Sequence, residues 1–375
     1  MAAALKKTGV VYLPLHYGHA PKWLTVRMKA LADAMLKIMY REEGASSIIR
    51  KLSSPIWFQA FGCVLGFDWH SSGLTTVVCG VLKDTLKVEE HGVEVAGGKG
   101  RSAIKTQTEI ERVCEDLSLT EQRLNELKYS SRMAAKVDTA AIQCNYPIYH
   151  HSVFISEKGE WCIIQQGLNV EKRLARRYHW LGSQLKSFVC TPHSGIAAPR
   201  LEARVLDMTA KESEEARRIS VDLVKGRPEN LISSIRMLSG QHVLDSWVES
   251  KQPANTYPCF DMPRRLDWSV FKKLYDIQPR DYEELLAVRG LGPAVVRALA
   301  LVSQLIYGAP PSWVDPAKFT FAHGGKDGVP YPVDRRVMDK TISTLRGYLE
   351  SSEAKREYLK EALKRLESLS HKWGL

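Results

Sequence analysis

Asp68 and His70 stand two residues apart in the run Gly66-Phe67-Asp68-Trp69-His70-Ser71-Ser72-Gly73. A carboxylate and an imidazole at that spacing in a glycine-flanked loop can share one divalent cation. Such a cation neutralises a phosphate and activates a water, which is what phosphodiester hydrolysis needs. Lys136 and Asp138 form a second pair. In a restriction-type nuclease core, acidic groups hold the metal and a lysine orients the water. Here the order is Lys-x-Asp at an expected helix end, and the neighbouring hairpin strand carries Gln165 and Gln166 where that core carries Glu-x-Lys. An ordinary surface ion pair is the plainer reading of Lys136 with Asp138. His150 and His151 begin a strand and so point to opposite faces. One of them can be a ligand or a base, since imidazole titrates near neutral pH; a structural hydrogen-bonding role is the alternative. The nuclease reading gives Asp68, His70 and Asp138 to a magnesium or manganese ion. It gives the attacking water to Lys136 or His150, with Gln165 in the same centre.

A different chemistry is written in Leu285 to Ala300. Gly290 and Gly292 flank Leu291, and Pro293 follows at once. Apolar residues recur at helical spacing on both sides. The pattern predicts a helix-hairpin-helix, a module that grips the DNA backbone. Glycines let a phosphate approach bare N–H groups, Leu291 plugs the seam, and Pro293 suits a first helical turn. The second helix then offers an anion its free N–H groups and positive dipole end, with Arg289 and Arg297 beside it. Asp281 and Glu284 make a capping box for the first helix. Backbone contacts position a protein on DNA without reading sequence. A corner used only for packing is the plain alternative.

Further basic groups fit a polyanion. Gly97-Gly98-Lys99-Gly100-Arg101-Ser102 suits phosphate oxygens but lacks P-loop spacing, so no nucleotide cofactor is expected. A helix capped by Asn169 is expected to carry Lys172, Arg173, Arg176 and Arg177 as a stripe, with Tyr178 and Trp180 as rings for unpaired bases. Lys326 lies in a second glycine-rich loop, His323 to Gly328.

These residues need elements to hold them. A helix opens at Pro21 with Leu24, Met28, Leu31, Met35 and Ile38 as its apolar stripe, and Gly44 ends it. The stretch Leu74 to Leu86 reads as strand or helix. Val93 to Ala96 reads as a strand. Capping boxes at Thr106/Glu109 and Ser118/Glu121 start two helices, the second running through Asp138. Ile148 to Ser156 and Trp161 to Gln166 alternate as a hairpin about Glu157 to Glu160. The expected fold is an α+β N-terminal domain (1–200), a charged helical segment and Pro-bearing linker (201–265), and an all-helical region (266–375) that contains the helix-hairpin-helix and ends in a helix from Asp334.

The 375 residues carry a formal net charge of +11 and are 44% hydrophobic, so a sizeable core and a polyanionic partner are both expected. Seven cysteines are scattered singly, which argues against a zinc ribbon and for a reducing, cytoplasmic setting. No signal peptide is read at the N-terminus and no run reaches membrane-spanning length. A homo-oligomer is compatible with these features.

Several blocks occur together: Thr8-Gly9 with Leu13-Pro14-Leu15-His16; Asp68 to Gly73; Gly97 to Arg101; Lys136-Val137-Asp138; Gln165-Gln166-Gly167; Arg176 to Trp180; and His323 to Gly328. On these the chain resembles the domain-of-unknown-function family number 763 of archaea and bacteria, over nearly its whole length. It departs where family members carry Gly-Gly after the Leu-His and this chain has Tyr17-Gly18. The resemblance implies no established catalytic residue. The expected function is a metal-dependent nuclease in DNA repair or processing, acting on single-stranded, duplex or branched DNA. A non-catalytic DNA-binding accessory protein is the alternative, and an RNA-processing protein a third.

Overall fold

A computed structural model describes residues 20, 22–67, 72–245, 262–263 and 265–317, with the backbone alone for residues 23 and 239–245. Four helices come first: α1 (Lys22–Glu43), α2 (Ala45–Leu52), α3 (Pro55–Val64) and α4 (Gly73–Thr85). The α1 stripe is buried at Met28, Leu31, Met35 and Ile38. Gly44 ends that helix with φ +78 and its N–H on the Tyr40 carbonyl. The ambiguous stretch from Leu74 is helical, because Leu74, Val78, Val81 and Leu82 share one buried face.

A short α5 (Val88–His91) leads into β1 (Val93–Lys99), and α6 (Arg101–Ile104), α7 (Thr106–Asp116) and α8 (Glu121–Lys136) follow. Then come a π-helical turn (Val137–Ala141), β2 (Ile142–Gln143), β3 (Ile148–Ser156), β4 (Trp161–Asn169), β5 (Leu174–Leu181), β6 (His193–Ala197) and β7 (Leu206–Asp207). The remaining helices are α9 (Glu214–Lys225), α10 (Pro228–Asp245), α11 (Ser269–Ile277), α12 (Tyr282–Ala287) and α13 (Pro293–Tyr307).

The main sheet is antiparallel with strand order β1-β3-β4-β5-β6, and β2 pairs with β7 apart from it. One sheet face gives Val95, Phe154, Cys162, Ile164 and Leu181 to a core shared with α1–α4. The other gives Val153, Ile163, Tyr178, Trp180 and Ile196 to a second core. The protein is therefore a mixed α/β structure built on an antiparallel sheet.

Several expectations differ from the structure. The run from Asn169 is not a helix. Asn169 Oδ1 does accept the Lys172 N–H at 2.8 Å, but it caps the turn between β4 and β5. Arg176 and Arg177 then enter a strand and are fully buried, so there is no basic stripe there for DNA. The rings of Tyr178 and Trp180 are sealed in the core and cannot stack on bases.

The capping boxes are displaced. Thr106 donates its hydroxyl to the Ala103 carbonyl, while Glu109 accepts the Gly97 N–H and the Lys83 ammonium. The next helix is capped by Thr120. Residues 97–99 of the expected glycine loop belong to β1.

The boundaries at 200 and 265 do not separate cores. One cluster runs from Ala96 through Val221, Ile235, Leu274 and Val296 to Ala317. The region after residue 201 is also not purely helical, since β7 pairs with β2 and Asp207 bridges Ser312. The linker 253–261, the loop at Lys326 and the helix from Asp334 lie outside the described residues.

Candidate functional site

Polar doublets occupy the middle of the sheet. His150 and His151 of β3 pair with Gln166 and Gln165 of β4, which pair with Arg177 and Tyr178 of β5. Strand alternation sends one member of each doublet to each face. Two buried polar layers result.

The first layer is centred on Asp138. The π-helical turn after α8 carries this side chain inward, where it is fully buried. Such turns are frequent at functional sites. Three N–H donors from three strands converge on it. Gln165 Nε2 (2.5 Å) and Trp180 Nε1 (2.9 Å) donate to Oδ2, and His193 Nε2 lies 2.5 Å from Oδ1. Indole N–H only donates, so Asp138 is an acceptor here, and the rest of the network is fixed in sequence. Gln165 turns its Oε1 to His151 Nδ1 (2.8 Å), which therefore bears the hydrogen. His151 Nε2 then accepts from Ser131 Oγ at 2.9 Å, and Ser131 accepts from Gln107 Nε2 at 3.1 Å. Burial holds His151 below its ordinary titration range, which keeps it neutral.

The second layer surrounds Arg177. Its guanidinium donates to His179 Nε2 (2.9 Å), Thr75 Oγ1 (3.2 Å) and Gln59 Oε1 (2.8 Å) and lies 4.9 Å from the Phe58 ring centre. Burial lowers its pKa to about 10. Because His179 Nε2 accepts, its Nδ1 carries the hydrogen and donates to the Leu52 carbonyl at 3.2 Å. Gln166 Nε2 reaches the Ser72 carbonyl (2.9 Å) and Tyr149 Oη (2.5 Å). His150 is sealed in the same layer. Its Nε2 is 3.0 Å from Ser152 Oγ, and its Nδ1 is buried without a hydrogen-bond partner. Burial, with smaller contributions from His151 and Lys99, lowers its pKa to about 3.

The α12–α13 connection has a geometry of its own. Asp281 Oδ1 caps α12 at the Glu284 N–H (2.8 Å), while Glu284 reaches back to the Arg280 N–H (2.8 Å). Gly290 has φ +98, Leu291 is buried, and Gly292 caps α13 with Pro293 in its first turn. Side chains take the carbonyls around the turn: Lys136 Nζ on Val288 (3.3 Å), Lys273 Nζ on Arg289 (3.1 Å) and Gln143 Nε2 on Pro293 (2.8 Å). The N–H groups of Gly290, Gly292, Ala294 and Val295 meet no described acceptor. Arg289 is exposed, and Arg297 lies 5.5 Å from the Trp313 ring centre.

The expected catalytic residues therefore disperse. Asp68 and His70 lie outside the described residues. Asp138 is held by three N–H donors, two on Oδ2 and one on Oδ1. Lys136 and Asp138 are not an ion pair; Lys136 points to the α12–α13 turn, and burial lowers its pKa. His150 faces away from Asp138, whereas Gln165 touches it. Lys99 and Arg101 are exposed, with Lys99 Nζ 5.9 Å from the Tyr149 ring centre. Arg173 is exposed in the β4–β5 turn at φ +53. Sequence reasoning missed His193, whose role depends on β6 pairing beside β5.

One group among the described residues has metal-like spacing: Asp33, Glu90 and His91. The Lys37 ammonium already sits there, 2.9 Å from Asp33 and 3.1 Å from Glu90. His91 Nδ1 accepts the Lys87 N–H at 3.2 Å, so Nε2 carries the hydrogen and has no lone pair for a metal. That Nε2 faces Asp33 Oδ1 at 3.2 Å without hydrogen-bond alignment.

The fold and these layers define a mixed α/β protein with a polar interior on both sides of its sheet. A family model described as "Protein of unknown function (DUF763)" matches residues 9–333, and the chain belongs to that family. No curated protein and no solved structure matches it. No helix among the described residues is long and apolar enough to cross a membrane.

Proposed function

We propose that the chain binds the sugar-phosphate backbone of DNA at the α12–α13 turn, independently of sequence, and hydrolyses phosphodiesters. The observation that carries the binding is the turn's polarity. Carbonyls of Val288, Arg289 and Pro293 are taken by Lys136, Lys273 and Gln143, and the N–H groups of Gly290, Gly292, Ala294 and Val295 meet no described acceptor. An anion is the natural complement of such a surface. The net charge of +11 agrees with that partner. Lys99, Arg101 and Arg173 are the other exposed basic residues of this reading. A divalent metal in this reading belongs with Asp68 and His70.

The test uses Gly292→Val. Gly292 has ordinary extended backbone, and an added Cβ meets nothing within 4 Å. The fold should accept valine, while a phosphate approaching the N–H groups should not. Unchanged affinity for labelled single-stranded, duplex and branched DNA in this variant would remove the turn from the binding surface. Cleavage is assayed with and without magnesium or manganese, beside Asp68→Ala.

A further inference from the structure

We propose that His193 is a general base, that Asp138 is its positioning carboxylate, and that a nucleic-acid phosphodiester is the substrate. The proposal rests on the DNA-backbone reading above. It starts from an asymmetry among the histidines whose side chains are described. His91, His150, His151 and His179 are sealed in the interior, whereas the His193 side chain retains 7% exposure at the head of β6. Its Nδ1 has no described partner and is not among the buried unpartnered atoms, so that edge of the ring meets solvent.

Asp138 fixes which nitrogen is basic. As an acceptor it takes the Nε2–H of His193, which leaves the Nδ1 lone pair outward. The carboxylate cannot turn away, because Gln165 and Trp180 hold its other oxygen. The ring cannot turn either: Trp180 packs edge-on at 4.4 Å and Tyr178 lies 5.8 Å away. The result is a rigid imidazole with one inward hydrogen, one outward lone pair and an anion behind it. A carboxylate kept only for stability would be an expensive choice, since apolar residues of similar volume serve a core as well.

The same segment braces the turn that grips the backbone. Lys136 and Gln143 flank Asp138 in sequence, and they hold the Val288 and Pro293 carbonyls on either side of Gly290-Leu291-Gly292. In the step, water oxygen bonds to phosphorus and its proton passes to His193 Nδ1. The bond from phosphorus to the leaving sugar oxygen breaks with its electron pair on that oxygen. The oxygen takes a proton from solvent, and the imidazolium later returns its proton to solvent. Asp138 stabilises the imidazolium between these events. The other titratable groups in electrostatic reach of His193 are Asp207 and His179.

The experiment measures binding and cleavage separately on the full chain, with labelled DNA and each metal. In His193→Gln, cleavage should fall by about 100-fold or more while affinity stays within about twofold. Imidazole added to His193→Ala should restore part of the lost rate. Asp138→Asn should lower cleavage at unchanged affinity and release the fixed Nε2–H tautomer of His193, which a merely structural role would not do. Thermal unfolding and the ring ¹⁵N spectrum of His193 report whether each variant keeps its fold and tautomer. Equal cleavage by a folded His193→Gln overturns the proposal and leaves backbone binding standing. Wild-type protein that binds but never cleaves overturns it likewise. Wild-type protein that does not bind overturns the backbone reading, and the rate of His193→Gln then decides the role of His193 alone.

Discussion

Arg176 and Asp315, 139 residues apart in the chain, form a two-pronged ion pair in which both side chains are buried. Nη1 reaches Oδ2 at 3.0 Å, and Asp315 also accepts the Glu202 and Ala317 N–H groups at 2.8 Å each. The pair ties the chain after α13 to the sheet. Removing one partner strands a charge in the interior. Asp315→Ala should therefore lower the unfolding free energy by about 3–5 kcal/mol, whereas Arg176→Met with Asp315→Leu should cost much less. Urea denaturation decides it, and equal losses in the single and double variants would count against a closed pair in solution.

Lys136 and Arg289 should separate two kinds of contribution to DNA binding. Arg289 is exposed on the turn, so Arg289→Ala should weaken binding to all sequences alike and reduce the salt slope by about one counterion. Lys136 is half-buried and holds the Val288 carbonyl. Lys136→Met should weaken binding through a loosened turn and leave the slope unchanged. A lower slope in the Lys136 variant would place its ammonium on a phosphate.

Acid should destabilise the fold through its sealed histidines. Burial lowers the pKa of His150 to about 3 from an ordinary 6.5, and it lowers those of His151 and His179 as well. Between these limits the unfolded chain binds a proton that folded His150 refuses, so stability rises with pH across the window and is lost on acidification. Each such group contributes a slope of up to about 1.4 kcal/mol per pH unit. Urea midpoints should drop between about pH 7 and about pH 5, and His150→Gln should flatten that drop. An unchanged pH dependence in that variant would mean that solvent reaches His150.

Gly97 and Gly100 should respond differently to alanine. At Gly97 φ is +89, and a Cβ would lie 2.2 Å from the His151 carbonyl oxygen. Gly100 has φ +58 with open space around it. Gly97→Ala should cost more than about 2 kcal/mol and Gly100→Ala about 1 kcal/mol. Thermal melts of the two variants compare them directly.

Helical spacing made α1 and the flanks of the α12–α13 turn legible, and the β3–β4 hairpin was legible from its β-branched runs and turn residues, although both of its faces are buried. The strand β5 was hidden by its own chemistry. Arginine, leucine and alanine favour helices locally, and Asn169 is a good cap in either setting. Tertiary pairing with β4 and β6 overrode that preference. Asp138 and Gln165 drew attention as polar residues, but the partner that gives them meaning is His193. Nothing near His193 in sequence marks it, since the contact arises only when three strands align. The three donors on Asp138 come from parts of the chain far from it in sequence, so its enclosure could not be read there.

The polar doublets also bear on how the sheet finds its register. Histidine follows histidine in β3, glutamine follows glutamine in β4, and arginine follows arginine in β5. A slip of one residue can still set a histidine opposite a glutamine, or a glutamine opposite an arginine, so the polar layers are poor at rejecting misalignment. The rejection falls to Gly167, where any Cβ would lie 2.2 Å from the Tyr146 carbonyl oxygen. A slipped β4 would bring Gln166 or Leu168 to that spot and collide. Gly167 thus opposes a slipped pairing, and any side chain placed there should strain the native β4 register as well.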